Sequence, residues 1–391
     1  MELEGLRIVA ALVVVIYHAL LIFYPAFFYG IGNNASGHNI RFEDNIYGSP
    51  FAGLLSGTFA VGIFFVLSGF VLTVSYFIKK DDNVIKRMAA KRYLRLMLPA
   101  LASVLIVFVI LAFGLNAGMD STVEKTHSLW LSQLWNFTPS LGGVFTQATQ
   151  GIFTAPIAGL GYNPVLWTIF FEFLGSFIVF VMALAFGQSR HRWVVYSVSI
   201  LLLYQTWLLG FILGMILADL YVNRRSIYTL LNSRLTYVLI PVAIFFGGYP
   251  SGALITPLYQ AITVSSLDQG QNVTLFVTIG SAIAVLAVLS LSRVGRFFAN
   301  KHISRYGKYA YSLYLMHMPV LFTVCVGAFS FFMSGSIGLG FHVSALLSFL
   351  IAFVVLVGTV YLFEKYIDAP AIRISSVFAD AFLGGRTKSK K

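Results

Sequence analysis

Charge is scarce in this chain and cysteine is nearly missing. Of 391 residues, 10% are Asp, Glu, Lys or Arg, and Cys325 is the single cysteine. Soluble domains carry roughly 25% charged residues, so the shortage excludes an ordinary soluble fold. A lone cysteine excludes an intramolecular disulfide framework and a cysteine-based metal site, and no other metal-binding pattern stands out. The weak ten-residue alternation of an outer-membrane barrel is missing. So are an internal repeat and an extra soluble domain. The N-terminus lacks a basic n-region and a small-residue cleavage site, so the apolar run from Leu6 is expected to remain as a first span.

What is abundant is apolar surface: 58% of residues are hydrophobic and 16% aromatic, with a mean hydropathy of +0.85. The long apolar runs predict an all-α, polytopic transmembrane helical bundle. A span needs about 20 apolar residues, and clear candidates are 6–28, 59–78, 97–115, 164–187, 273–292, 309–333 and 339–363. Residues 235–248 are short for a span. Residues 193–222 form a run of thirty, about 45 Å as a single helix.

The net charge of +12 does not point to nucleic acid, because the basic residues sit in short stretches between apolar runs, as topology signals do. KKDDNVIKRMAAKRYLRLM (79–97) holds seven of them and is expected to be cytoplasmic. SRHR (189–192) and NRRS (223–226) then both fall inside. The run between them must leave and return, as two short helices breaking near Tyr204–Gln205–Thr206. SRVGRFFANKHISRYGK (292–308) and the tail RTKSKK (386–391) also fall inside. The result is about ten spans with both termini cytoplasmic. Of the 26 Lys and Arg, only Arg41 and Lys125 lie outside. A single membrane domain, 1–391, with a basic cytoplasmic tail from about 374, is the simplest organisation. The external segments 29–58 and 116–163 are long for bundle connections, and such loops are often lids or binding loops. Sequons at Asn34, Asn136 and Asn272 lie in or near external segments.

Few ionisable groups fall within the spans, and intramembrane ones mark function more often than not. Asp219 and Glu364 sit close to the cytoplasmic interface, where solvation or pairing with Arg224 or Lys365 accounts for them. His18 and Arg7 are eleven residues apart, so they share one helix face about 16 Å apart along the axis. A ligand with an anionic head at the interface and a reactive group reaching inward would meet both, and an acyl-coenzyme A has that shape. The plainer alternative makes Arg7 a positive-inside anchor and His18 a hydrogen-bonding core residue, and spacing alone does not separate the two. Glu172, in NPVLWTIFFEF, needs a partner or a proton. It can orient a histidine or simply hold helices together. His317, in YSLYLMHMP, is a candidate partner about 12 Å into its span, although a lone histidine is more often structural. RYLR (92–95) sets Arg92 and Arg95 on one face, suited to phosphate, to anionic lipid or to topology alone. GFILG (210–214) with Ala218 is a small-residue stripe for close helix approach.

Several of these stretches together resemble the membrane-bound acyltransferase-3 family. They are LEGLRIVAALVVVIYH (3–18), AVGIFFVLSGFVLT (60–73), KRYLRLMLPA (91–100), LWTIFFEF (166–173), FILGMILADL (211–220) and YGKYAYSLYLMHMPV (306–320), with FEKYIDAPAIR (363–373) near the end. They follow the family's order along the chain. The resemblance implies an enzyme of ten spans in a membrane, most simply the plasma membrane. It would move an acyl group, often acetyl, from cytoplasmic acyl-coenzyme A to a hydroxyl of a carbohydrate, lipid or other small acceptor. Arg7 and His18 then match the family's Arg-x10-His motif, and Arg92 and Arg95 its Arg-x-x-Arg motif. Glu172 and His317 match the later acidic and histidine positions. Two departures stand out: Phe173 follows Glu172 where a second acidic or polar residue is usual, and the fifth and sixth spans are compressed into one run. On this reading His18 is the base on the acceptor hydroxyl, Glu172 or His317 tunes it, and Arg7, Arg92 and Arg95 hold the coenzyme A phosphates. Two alternatives have different signatures. A proton-coupled transporter or exporter predicts broken helices in an internal repeat, and a lipid-binding scaffold tolerates loss of both Arg7 and His18.

Overall fold

A computed structural model describes residues 1–30, 43, 46–156, 161–252, 255–335 and 337–384. Among these residues there is no strand, and seven helices are long and apolar enough to cross a membrane. Three shorter apolar helices accompany them. In chain order they are α1 (Glu2–Phe23), α2 (Gly57–Lys79), α3 (Asp82–Ala112), α4 (Pro164–Phe186), α5 (Arg192–Leu203), α6 (Leu208–Asn223), α7 (Leu235–Gly247), α8 (Gln269–Ser290), α9 (Lys301–Met333) and α10 (Phe341–Phe382). The protein is an all-α, polytopic membrane bundle.

Local chemistry sets the boundaries. Ser56 caps α2 by accepting from the Phe59 amide, and Asp268 with Gln271 forms a capping box at the start of α8. Pro25 follows closely on the end of α1. The thirty-residue apolar run breaks where expected, with turns at 204–206 separating α5 from α6. α6 packs closely along α2, and the small-residue stripe makes this possible. A Cβ added at Gly214 would fall on the Val66 carbonyl oxygen, and one at Gly69 on that of Phe211.

Segments assigned to one side by counting charges meet at one end of the bundle. Gly5 of α1 abuts Phe298 in the 292–308 segment, and Arg87 pairs with Asp380 at 2.7 Å. At the other end, Ser128 donates to the Leu21 carbonyl and Tyr24 bonds His342. Two helices run further than their apolar cores. α3 begins at Asp82 rather than near 97, and α10 continues to Phe382 through a π turn at Glu364–Asp368. At 42 residues, α10 is about 63 Å long, roughly twice the thickness of the hydrocarbon core. Residues 374–382 of the expected basic tail are therefore helical, and they pack against the start of α3. Residues 385–391 of the tail, with Arg41 and the Asn34 sequon, lie outside the described residues.

Residues 116–156 and 161–163 form a folded cap over the end of the bundle opposite the basic one. It contains the short helices Gly118–Thr126, Leu129–Ser132 and Leu141–Thr146. Asn136 is exposed on it. Asn272 is instead buried, its amide donating to the carbonyls of Val264, Leu267 and Asp268, so it is no surface acceptor for a glycan.

Candidate active site

At the basic end of the bundle, α1, α2, α3, α4, α9 and α10 surround a cavity of about 320 Å³. Arg7 enters from α1, while Arg92 and Arg95, one turn apart, enter from α3. Lys308 supplies a fourth cation, and the carboxylates of Glu172, Glu364 and Asp368 complete the charged lining. The cavity is thus almost balanced in charge, with each arginine held by a carboxylate. Arg92 donates from Nη2 to Glu172 at 2.5 Å and from Nε to Ser176 at 2.9 Å. Ser68 donates to the same Glu172 carboxylate at 2.8 Å. Arg95 pairs with Asp368 at 2.6 Å and lies over the Tyr311 ring. Arg7 has a looser partner in Glu4 at 3.0 Å, and both are partly exposed.

Two expectations change here. Glu172 does not meet a histidine; its partners are Arg92 and Ser68, because α4 presents it to α2 and α3 rather than to α1. Asp219 does not pair with Arg224: fully buried, it accepts from Arg192, Tyr196 and Asn223, tying α5 to α6. Phe173, where a polar residue was usual, packs among Tyr93, Phe153 and Phe177.

The histidines find each other instead. His317 Nε2 lies 3.2 Å from His18 Nδ1, although 299 residues separate them. His18 sits five residues before the end of α1, about 7.5 Å from its outer end. It therefore lies nearer the cap than mid-span. Backbone carbonyls fix the tautomers, because a carbonyl can only accept. His317 Nδ1 faces the Leu313 carbonyl at 3.2 Å, so it carries the proton and Nε2 keeps a lone pair. His18 Nδ1 faces the Val14 carbonyl at 2.8 Å, so its N–H is shared between Val14 and His317 Nε2. In the neutral pair, the assignment leaves the lone pair on His18 Nε2 uncommitted.

The cap encloses this pair with aromatic rings. Trp130 lies 5.5 Å from the His18 ring and 5.8 Å from Phe322, which Trp135 also contacts edge-on at 5.0 Å. Asn163, just before α4, donates to the Leu315 carbonyl, while its buried Oδ1 has no hydrogen-bond partner. Between the two halves stands Tyr314, one turn before His317. It lines the cavity, and its ring centroid is 5.9 Å from that of His317. Neither histidine lines the cavity.

The cavity therefore offers anion-binding donors at one end of the bundle, and the histidine pair offers a general base at the other. Arg7 and His18 come from the same face of α1, as their spacing requires. Sequence reasoning did not single out Tyr311, Tyr314, Ser68, Asp368 or Lys308. All five lay within segments that resembled the family, but nothing in spacing marked them. Among the described residues, no three His, Cys, Asp or Glu side chains converge as a metal site would require, and Cys325 is buried.

Searches among curated proteins and among solved structures give no match to this chain. Residues 2–365 match the acyltransferase-3 family model, whose description is an acyltransferase domain. Because that match runs over nearly the whole of a chain built from membrane-length apolar helices, the protein belongs to the acyltransferase-3 family and is a multi-pass integral-membrane acyltransferase.

Proposed function

We propose that the acyl donor is an acyl-coenzyme A, acetyl-coenzyme A in the first instance, entering from the cytoplasm. The acceptor is a hydroxyl on a carbohydrate, a lipid or another small molecule, reached from the capped side, and the host membrane is the plasma membrane. The observation that carries this reading is the arginine-lined cavity at the basic end of the bundle, whose Arg7 shares a helix face with His18. A phosphate-bearing head fits the cavity mouth, where charge-assisted hydrogen bonds are strongest. A thioester arm extends along the face that leads to the histidines.

In the reaction, His18 Nε2 takes the proton of the acceptor hydroxyl as its oxygen bonds to the thioester carbonyl carbon. The carbon–sulfur bond then breaks, and the departing thiolate takes the proton from His18. His317 is a positioning residue: it accepts from His18 Nδ1–H and so keeps the lone pair on Nε2. Glu172 acts at one remove, holding the Arg92 fork toward the cavity. Arg95 and Arg7 complete the phosphate-facing set, and surrounding bilayer lipids are the protein's remaining contacts.

The test is purified protein with radiolabelled acetyl-coenzyme A and a panel of hydroxyl acceptors, alongside calorimetric titration of coenzyme A. Binding with label transfer that depends on His18 supports the assignment. Absence of both coenzyme A binding and turnover would leave the exporter as the better account.

A further inference from the structure

The cavity and the histidine pair are close but not connected. The α1 stripe from Arg7 to His18 passes through Ala11 and Val14, and both are fully buried. On the opposite wall, the Tyr314 ring lies between Phe64, a cavity residue at 6.1 Å, and His317 at 5.9 Å. Its hydroxyl is pinned at 2.9 Å to the Val165 carbonyl and at 2.9 Å to the Thr168 hydroxyl. Tyr314 thus belongs both to the cavity wall and to the surroundings of His317, whereas neither histidine lines the cavity.

We propose that Tyr314 is a gate between the donor cavity and the histidine pair, an inference that rests on acyl-coenzyme A being the donor. Its ring swings aside when the acceptor is in place beside the histidines, and with donor alone in the cavity it keeps water near the histidines from the thioester. The helix carrying it is built to yield. Pro319 removes one backbone donor, and a π turn follows at Leu321–Cys325, the kind of local irregularity that lets a helix adjust. Two neutral hydrogen bonds pin the ring, so opening is a small perturbation beside acceptor binding.

A gate of this kind protects the reaction from a competing one. With Tyr314 shortened, water takes the acceptor's place: its oxygen bonds to the thioester carbonyl carbon and its proton passes to His18. The carbon–sulfur bond breaks and the thiolate receives that proton. The products are acetate and coenzyme A, with no acceptor consumed. Excluding water from a reactive intermediate is a general function of closed sites.

Two measurements test this on the full chain in lipid nanodiscs. The first follows acetate release from labelled acetyl-coenzyme A without acceptor. Tyr314→Ala should release acetate about tenfold faster than the parent, and Tyr314→Phe, which keeps the ring but not its anchors, about two- to threefold faster. Coenzyme A affinity should stay within about twofold. A merely structural role for Tyr314 predicts the reverse, slower release in both variants. The second does not depend on the donor. In a Cys325→Ser background, His317→Cys is exposed to a membrane-impermeant thiol reagent from the basic end. It should resist labelling with Tyr314 present and react with Tyr314→Ala. Unchanged acetate release with unchanged coenzyme A affinity would overturn the gate, as would equal labelling with and without the Tyr314 ring. If the parent binds no coenzyme A, the donor assignment fails by itself and the labelling result decides the gate.

Discussion

The two halves of the site are made of different material. The half at the basic end is crowded with charge, and each of its site arginines is held in place by a carboxylate from another helix or its own first turn. The half beneath the cap holds two histidines among aromatic rings and backbone carbonyls. Charge is costly to bury unless paired, so the half that keeps its charges keeps them in pairs beside a cavity. The half that must move a proton relies on hydrogen bonds to fix a tautomer. Binding and chemistry are thereby assigned to separate places along one helix face.

That division can be broken most severely at His18. His18→Ala should lower transfer about a thousandfold, within the range that general bases contribute, with donor affinity unchanged; single-turnover assays measure it. Next comes the partly buried pair of Arg92 and Glu172. Glu172→Ala leaves the guanidinium without its partner and should destabilise the fold by about 2–3 kcal/mol, read by thermal unfolding in nanodiscs. Glu172→Gln should cost less, because the amide oxygen still accepts from Arg92. Third is His317. His317→Ala leaves His18 Nδ1–H held by the Val14 carbonyl alone and should lower kcat about tenfold to a hundredfold, since small misplacements of a reacting group are that costly. His317→Gln, whose amide oxygen can still accept from His18 Nδ1–H, should recover part of the loss. The smallest effect is expected at Arg87–Asp380, a half-exposed pair away from the cavity. Arg87→Ala should change stability by less than about 1 kcal/mol and leave donor affinity alone.

The sequence carried the bundle better than the site. Hydropathy and charge counting located all ten apolar helices, down to the break at Tyr204–Gln205–Thr206, because both properties run along the chain without reference to neighbours. They missed the extra length of α3 and α10, since residues 82–96 and 364–382 mix charge with apolar positions and fall outside any apolar run. The arginines and histidines were visible because ionisable groups are rare within spans. Their pairings were not. Whether Glu172 meets a histidine or an arginine depends on which helices adjoin α4, and no spacing within α4 contains that information. Tyr314 was hidden for another reason: the chain has 20 tyrosines and 37 phenylalanines, and one more aromatic residue draws no attention until its position is known.

The most direct test of the division between halves is calorimetric titration of coenzyme A into the parent, Arg7→Ala and His18→Ala proteins. The account predicts that Arg7→Ala weakens binding about tenfold, the loss of one charge-assisted hydrogen bond. His18→Ala should bind within about twofold of the parent while failing to transfer. Tight binding in Arg7→Ala with loss of binding in His18→Ala would contradict it.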